Sequence, residues 1–161
     1  MPSIKKGPGP IKLECRKTGQ IKPYPKNQRQ HDPKQIDAIA RSIQAVGWTK
    51  PIIVDEKLEI LAGHGAWMAA QQLGLEQVPT IMRAGLNPAQ KKAYRIADNR
   101  LAEKSTWDDK LLAQEMAELK RIGFDMTLTG FDPTDIEFML APPPADPGEP
   151  PIPEIQKRAV S

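Results

Sequence analysis

Three Asx-Pro pairs, Asp32-Pro33, Asn87-Pro88 and Asp132-Pro133, limit where this chain can be helical. An Asp or Asn side chain accepts from a first-turn amide, and proline suits the first helical position because its missing N–H would have no partner there. Each pair therefore reads as a helix start, and the spacing predicts helices over "HDPKQIDAIARSIQAVG", "NPAQKKAYRIADNRLAEK" and "FDPTDIEFML". In the first, Ile36, Ile39, Ala40, Ile43 and Val46 share a face and Gly47 ends it. In the second, Ala89, Ala93, Ile96, Ala97 and Leu101 lie on one side. A further helix, "TWDDKLLAQEMAELKRIG", is given a cap at Thr106 and a stop at Gly123. "IKLEC", "QIKPY", "KPIIVD", "LEILAG" and "VPTIM" read as short strands, with "GAWMAAQQLG" a short helix closed by Gly74. Trp48, Trp67 and Trp107 sit beside turns and are expected in the core or at its edge. The order of elements implies a small α+β (mixed α/β) domain followed by a helical extension.

Proline also marks the ends. Seven prolines between Pro142 and Pro153 make 141–161 a proline-rich linker rather than a folded segment. Residues 1–10 read as a flexible arm of Gly, Pro and Lys, leaving a domain at 11–104 and the helical extension at 105–140. The 161 residues, 39% hydrophobic and 27% charged, suit one globular core. No apolar run is long enough to cross a bilayer, and the N-terminus lacks the apolar segment of a signal peptide, so a cytoplasmic protein without membrane association is expected. The single Cys15 rules out an internal disulfide and a cysteine-rich zinc site, and two histidines, His31 and His64, argue against a histidine-based metal site. Charge is uneven: residues 1–50 hold eleven Lys/Arg against three Asp/Glu, whereas the remainder is net acidic. The basic half suits the phosphates of a nucleotide or of DNA.

Three stretches carry candidate chemistry. In "ILAGHGAW" an apolar run passes through Gly63, His64 and Gly65 into a helix. A helix N-terminus offers unpaired N–H groups and partial positive charge, and glycine lets an anion approach that backbone, although a tight turn alone would also use two glycines. His64 could add a hydrogen bond or a proton-transfer group titrating near neutrality. "PYPKNQRQHD" gathers Asn27, Gln28, Arg29 and His31 just before a helix, where Arg29 could hold a phosphate with two parallel hydrogen bonds. "YRIADNRLAE" places Arg95, Asp98 and Asn99 on one helical face, and a carboxylate beside a carboxamide suits a magnesium ion shared with a nucleotide. Taken alone, each stretch is more commonly a tight turn, a polar loop or a solvated helix face than a site.

Their order is more specific. From about Ile11 to Glu103 the chain resembles the N-terminal domain of ParB partition proteins, in the ParB/sulfiredoxin superfamily, through the Asn-x-Arg loop (Asn27, Arg29), "GWTKPIIV" (Gly47 to Val54) and the Gly-rich box before "GLEQVP". It is most similar to the ParB-like nuclease domains of prophage and bacterial proteins, many joined to a DNA methyltransferase; the linker and the ending "QKRAVS" suit the N-terminal piece of such a fusion. The resemblance implies a site for ATP or CTP with Mg2+. Gly63, His64 and Gly65 would hold phosphate with Arg29, Arg95 and Asn99, Asp98 and Asn99 would bind the metal, and Thr49 would line the pocket. His64, Asp98 and the position of Ala66 would be catalytic, with Lys26 and Arg29 on DNA.

Two departures matter. The look-alikes read Gly-His-Gly-Arg, and here the arginine's place is taken by Ala66. Loss of a buried Arg–phosphate contact costs on the order of 2–5 kcal/mol, so Ala66 marks either a weak natural member or a disabling replacement. Sulfiredoxin chemistry needs a cysteine in the box, where His64 stands, so sulfinic-acid reduction is not expected. The implied activity is nucleotide hydrolysis or DNA cleavage. The alternative is a non-catalytic DNA-binding, targeting or oligomerising module for a partner methyltransferase, with a homodimer as a candidate assembly. The helices at 107–122 and 132–140, acidic around "FDPTDIEFML", read as packing or self-association elements rather than as a DNA-reading helix-turn-helix.

Overall fold

A computed structural model describes residues 11–27 and 29–142. The arm at 1–10, Gln28 and the proline-rich segment from Pro143 onward lie outside the described residues.

The elements run β1 (Leu13–Lys17), a 3-10 turn (Thr18–Gln20), α1 (Pro33–Val46), β2 (Ile52–Val54), β3 (Ile60–Ala62), α2 (His64–Gln72), β4 (Gln77–Met82), α3 (Pro88–Lys104), α4 (Asp109–Arg121), a second 3-10 helix (Met126–Thr129) and α5 (Pro133–Leu140). One mixed four-stranded sheet has the order β1-β4-β2-β3. β4 runs antiparallel to β1 and parallel to β2, while β2 and β3 form a hairpin. α2 is the crossover that carries the chain from the edge strand β3 back to the sheet interior at β4. The fold is thus α+β with a mixed sheet, as the sequence implies.

Ile52, Val54, Ile60 and Val78 from the strands close on Ile21 and Ala70 to form the main core, with Trp48 and Trp67 packed at its edge. A second cluster joins α1 to α2 through Ile36, Ala40 and Ala69. Each aliphatic side chain buried in this way contributes roughly 1.5–3 kcal/mol. The alanines of α2 let two layers approach it at once: Ala70 faces the sheet and Ala69 faces α1.

The Asx-Pro starts all form as read. Asp32 accepts from the Gln35 amide, Asn87 from the Gln90 amide in a reciprocal capping box, and Asp132 from the Thr134 amide. Several other expectations need correction. "QIKPY" is not a strand: only Lys22 pairs, with Glu59, because Pro23 and Pro25 have no amide to donate. α4 is capped by Asp108, which accepts from the Leu111 amide, not by Thr106. Val46 ends α1 on the exposed side. Trp107 is 66% exposed and meets the Phe131 ring at a tilt, centroids 5.5 Å apart, so it is not a core residue.

The apolar side of α3 does not face the core either, since Ile96 and Leu101 are 50% and 67% exposed. α3 docks through cations instead. Lys91 reaches Asp55 (2.9 Å) and Glu56 (3.1 Å) on the hairpin turn, and Arg95, 8% exposed, is its buried residue.

Candidate phosphate-binding cleft

Gly63 ends β3 with φ +103°, in the left-handed region, where a Cβ would also meet the Ile52 backbone at 3.3 Å. Only glycine turns the chain there without strain. The turn aims the N-terminus of α2 outward, and no side chain caps it. α1, α3, α4 and α5 each have an Asp or Asn in that position. The amides of His64, Gly65 and Ala66 occupy the first turn, where no intrahelical acceptor exists. Gly65 is required by packing, since a Cβ would come within 2.9 Å of Ile39 Cδ1 and 3.2 Å of the His31 ring. The two glycines thus have separate reasons: one makes the turn, the other admits α1 and His31.

The N-terminus of α2 opens on a cleft of about 320 Å³. Gly63, His64, Gly65 and Ala66 form its floor, Asn27, Arg29 and His31 one rim, Arg95, Asp98 and Asn99 the opposite rim, with Lys50 also lining it. Three cations, Arg29, Lys50 and Arg95, thereby face one carboxylate, Asp98. An anion is the complementary ligand. Asn27 shapes its rim rather than reaching across: its Oδ1 accepts from the Arg29 amide (3.4 Å) and its Nδ2 donates to the Arg29 carbonyl (3.1 Å). The structure brings together Arg29, Gly63, His64, Gly65, Ala66, Arg95, Asp98 and Asn99 from the residues singled out in the sequence. Thr49 does not line the cleft; its neighbour Lys50 does. Lys26 lies on an adjoining pocket formed with Tyr24, Asn27, Lys92, Arg95, Ile96 and Asn99. His31, named in the crowded loop of the sequence, also lines the cleft, whereas Lys50 is the residue that sequence reasoning did not single out, visible only as the one cation between α1 and β2.

His64 corrects an expectation. Its Nε2 accepts from the Tyr24 amide at 3.1 Å. Burial, the nearby His31 and the Arg95 guanidinium push its pKa down to about 4. At neutral pH it is an uncharged acceptor tying the 23–31 loop to α2, not a group titrating near neutrality.

Among the described residues no cluster of three or more His, Cys, Asp or Glu could hold a metal alone. Asp98 and Asn99 nevertheless fit a hard cation whose other ligands are phosphate oxygens and water, the usual habit of magnesium.

A family model described as the ParB N-terminal domain matches residues 14–99, and one described as the ParB-methyltransferase HTH domain matches residues 110–161. The second span includes α4 and α5, read from the sequence as packing elements. The ParB-like nuclease domain-containing protein YnaK of Escherichia coli (strain K12) is 42% identical over 82 residues, covering 51% of this chain and 94% of its own length. A probable chromosome-partitioning protein ParB of Pseudomonas putida is 34% identical over 77 residues, 45% of this chain but 25% of its own length. Among solved structures, the C-terminally truncated chromosome-partitioning protein ParB from Caulobacter crescentus, complexed with CTP-gamma-S, aligns with TM-score 0.60 at 18% identity, over 80% of this chain and 84% of that one. That likeness is one of fold. No described helix is long and apolar enough to cross a membrane.

Proposed function

The chain belongs to the ParB N-terminal domain family, and from that premise we propose that it binds a nucleoside triphosphate, ATP or CTP, with magnesium and acts at DNA. The observation that carries this reading is the uncapped N-terminus of α2 opening on a cleft with three cations and the Asp98-Asn99 pair. The main-chain amides of 64–66 and the guanidinium of Arg29 would hold phosphate oxygens. Asp98 and Asn99 would hold the magnesium ion, which when bound supplies neutralising charge to the phosphates. The complex of the Caulobacter ParB with CTP-gamma-S supports a nucleotide as the ligand of this fold. The relatedness to partitioning proteins and the helix-turn-helix match over 110–161 support a role at DNA. The same match, named for ParB-methyltransferases, supports a methyltransferase as a partner in a longer chain.

Hydrolysis of the nucleotide needs charge stabilisation on the transferred phosphoryl group. Ala66, on the cleft floor, supplies none, and His64 is already engaged by the Tyr24 amide. These two observations favour a second reading, in which the domain binds nucleotide or DNA without turnover and positions a partner methyltransferase. Calorimetric titration of the four nucleoside triphosphates with magnesium, on this protein and on Ala66→Arg, tests both. The expected outcome is weak binding of one nucleotide, tightened by on the order of tenfold or more in Ala66→Arg, together with a gain in phosphate release. If neither protein binds any nucleotide, the reading fails; if both bind and neither releases phosphate, the second reading stands.

A further inference from the structure

The two rims of the cleft come from segments that share no secondary structure: the 22–31 loop and the third turn of α3. A cation–π contact joins them. The Arg95 guanidinium lies flat over the Tyr24 ring, its Cζ 3.6 Å from the centroid. We infer that Arg95 and Tyr24 form a positioning joint that sets where Asn27 and Arg29 stand relative to Asp98 and Asn99.

Two of the three guanidinium nitrogens of Arg95 are already engaged. Its Nε donates to the Ile60 carbonyl and its Nη2 to Glu59, both at 3.1 Å, which fixes the plane of the guanidinium on the edge strand β3. The face left over carries Tyr24. A buried arginine held along its edge and stacked on its face is a rigid fixture, and lysine, a point charge without the planar fork, cannot make the stack and both edge hydrogen bonds in one plane. One turn earlier Lys91 clamps the same helix to Asp55 and Glu56, so α3 carries Asp98 and Asn99 on a base fixed at two points.

The loop is pinned from its own side. The Lys22 amide donates to the Leu58 carbonyl and the Lys22 carbonyl accepts from the Ile60 amide, which attaches the entry to β3. Two residues later Tyr24 is held from both sides, its ring under Arg95 and its amide on His64 Nε2. Past Tyr24, among the described residues, the hydrogen bonds are local: the Asn27 amide to the Tyr24 carbonyl, the Asn27–Arg29 pair, and His31 with Gln35. Tyr24 is therefore the last anchor on the N-terminal side of the rim that carries Arg29, whose far end is held where the His31 ring packs beside Gly65. Arg95 acts on the ligand through Tyr24, a positioning role distinct from the direct phosphate contact the helical face alone would imply.

The inference rests on the proposed anion site, so the test carries one readout with ligand and one without. The variants are Arg95→Met, Arg95→Lys, Tyr24→Leu, Tyr24→Phe and the Arg95→Met/Tyr24→Leu double variant, each checked for cooperative melting. Without ligand, amide hydrogen exchange at Tyr24 and Asn27 is expected to rise by about tenfold in Arg95→Met and Tyr24→Leu, from loss of the stack, and to stay unchanged in Tyr24→Phe, which keeps the ring. With magnesium and the best-binding triphosphate, affinity should fall in parallel, the double variant should be no weaker than the worse single, and Arg95→Lys should behave as Arg95→Met. Unchanged exchange in Tyr24→Leu overturns the joint. So does recovery of affinity in Arg95→Lys, or loss in Arg95→Met with Tyr24→Leu intact, because each means that Arg95 touches the ligand as a charge. Should the unsubstituted protein bind no triphosphate, the nucleotide reading falls, and the exchange measurement alone decides the joint.

Discussion

His64 illustrates what a single residue's surroundings decide that its sequence neighbours do not. Between two glycines at a helix start it reads as a proton-transfer group. Its burial beneath the 23–31 loop, which comes from forty residues upstream, makes it a neutral acceptor instead. The lowered pKa has a consequence for stability. The unfolded chain takes up the proton near the ordinary value of 6.5, whereas the folded state resists until about 4. Stability from this group is therefore complete above pH 6.5, is lost as pH falls through that window, and has gone near pH 4. After discounting for its partial exposure, the loss is on the order of 1–3 kcal/mol. Urea midpoints between pH 7 and 4 should fall more steeply for this protein than for His64→Gln, which has no proton to bind, and parallel slopes would refute the shift. The same distinction separates Gly63 from Gly65. The position of both glycines was legible in the sequence, because a strand running into a helix needs a turn. That Gly65 answers to Ile39 and His31 was not, because α1 and α2 meet only in the folded chain. Thr49 and Lys50 show the limit of resemblance at this scale, since a one-residue difference just before β2, where the chain bends at Lys50, exchanges which of them lines the cleft.

At the scale of elements, the starts of α1, α3 and α5 were readable because an Asx-Pro cap is a local signal, complete within four residues. α4 lacks the proline, and two capping residues compete two positions apart. The tilted stack of Trp107 on Phe131 accompanies a start at Asp108, whose carboxylate takes the Leu111 amide. Asp108→Ala is accordingly expected to cost about 1 kcal/mol of stability and Thr106→Ala nothing measurable; chemical denaturation of the two variants checks this, and the reverse ranking would restore Thr106 as the cap. The docking of α3 was misread for a different reason. Periodicity locates an apolar stripe, but it cannot report that the opposite face carries Lys91 and Arg95 at one-turn spacing, matched to Asp55, Glu56 and Glu59 around the β2–β3 turn. Asp55, 2% exposed, is the centre of that match. Burial alone would raise its pKa, but the Lys91 ammonium and the amides of Glu59 and Lys57 outweigh it and hold the carboxyl below its ordinary value. α3 thus reaches its place by charge and hydrogen bonding, and the pair it presents to the cleft, Asp98 and Asn99, inherits its position from that clamp.

Across the whole molecule, charge divides along the chain. The loop and strands up to Lys50 are basic, while residues 105–142 carry eight Asp/Glu against three Lys/Arg. The two parts touch through α1. Arg41 donates to Thr127 Oγ1 at 3.0 Å, and the hydrogen bonds from the Thr127 hydroxyl and amide, with a smaller contribution from the Arg41 charge, hold Asp125 below the ordinary carboxylate pKa. A polyanion is therefore expected to be attracted by the basic part of the chain and repelled by the acidic part. If the chain acts at DNA as proposed, two surfaces compete: the segment matched by the helix-turn-helix model, 110–161, and the exposed cations Lys26 and Arg29 beside the cleft. Salt titrations separate the two. Duplex affinity should fall linearly with ionic strength on a log–log scale, and each lysine or arginine that neutralises a phosphate should reduce that slope by about one when removed. Lys26→Ala and Arg29→Ala are expected to do so, with Lys120→Ala and Arg121→Ala leaving it unchanged. The opposite pattern would move the interface to α4, where the acidic side chains of α5 would have to face away from the duplex and the basic half would be left to the nucleotide alone.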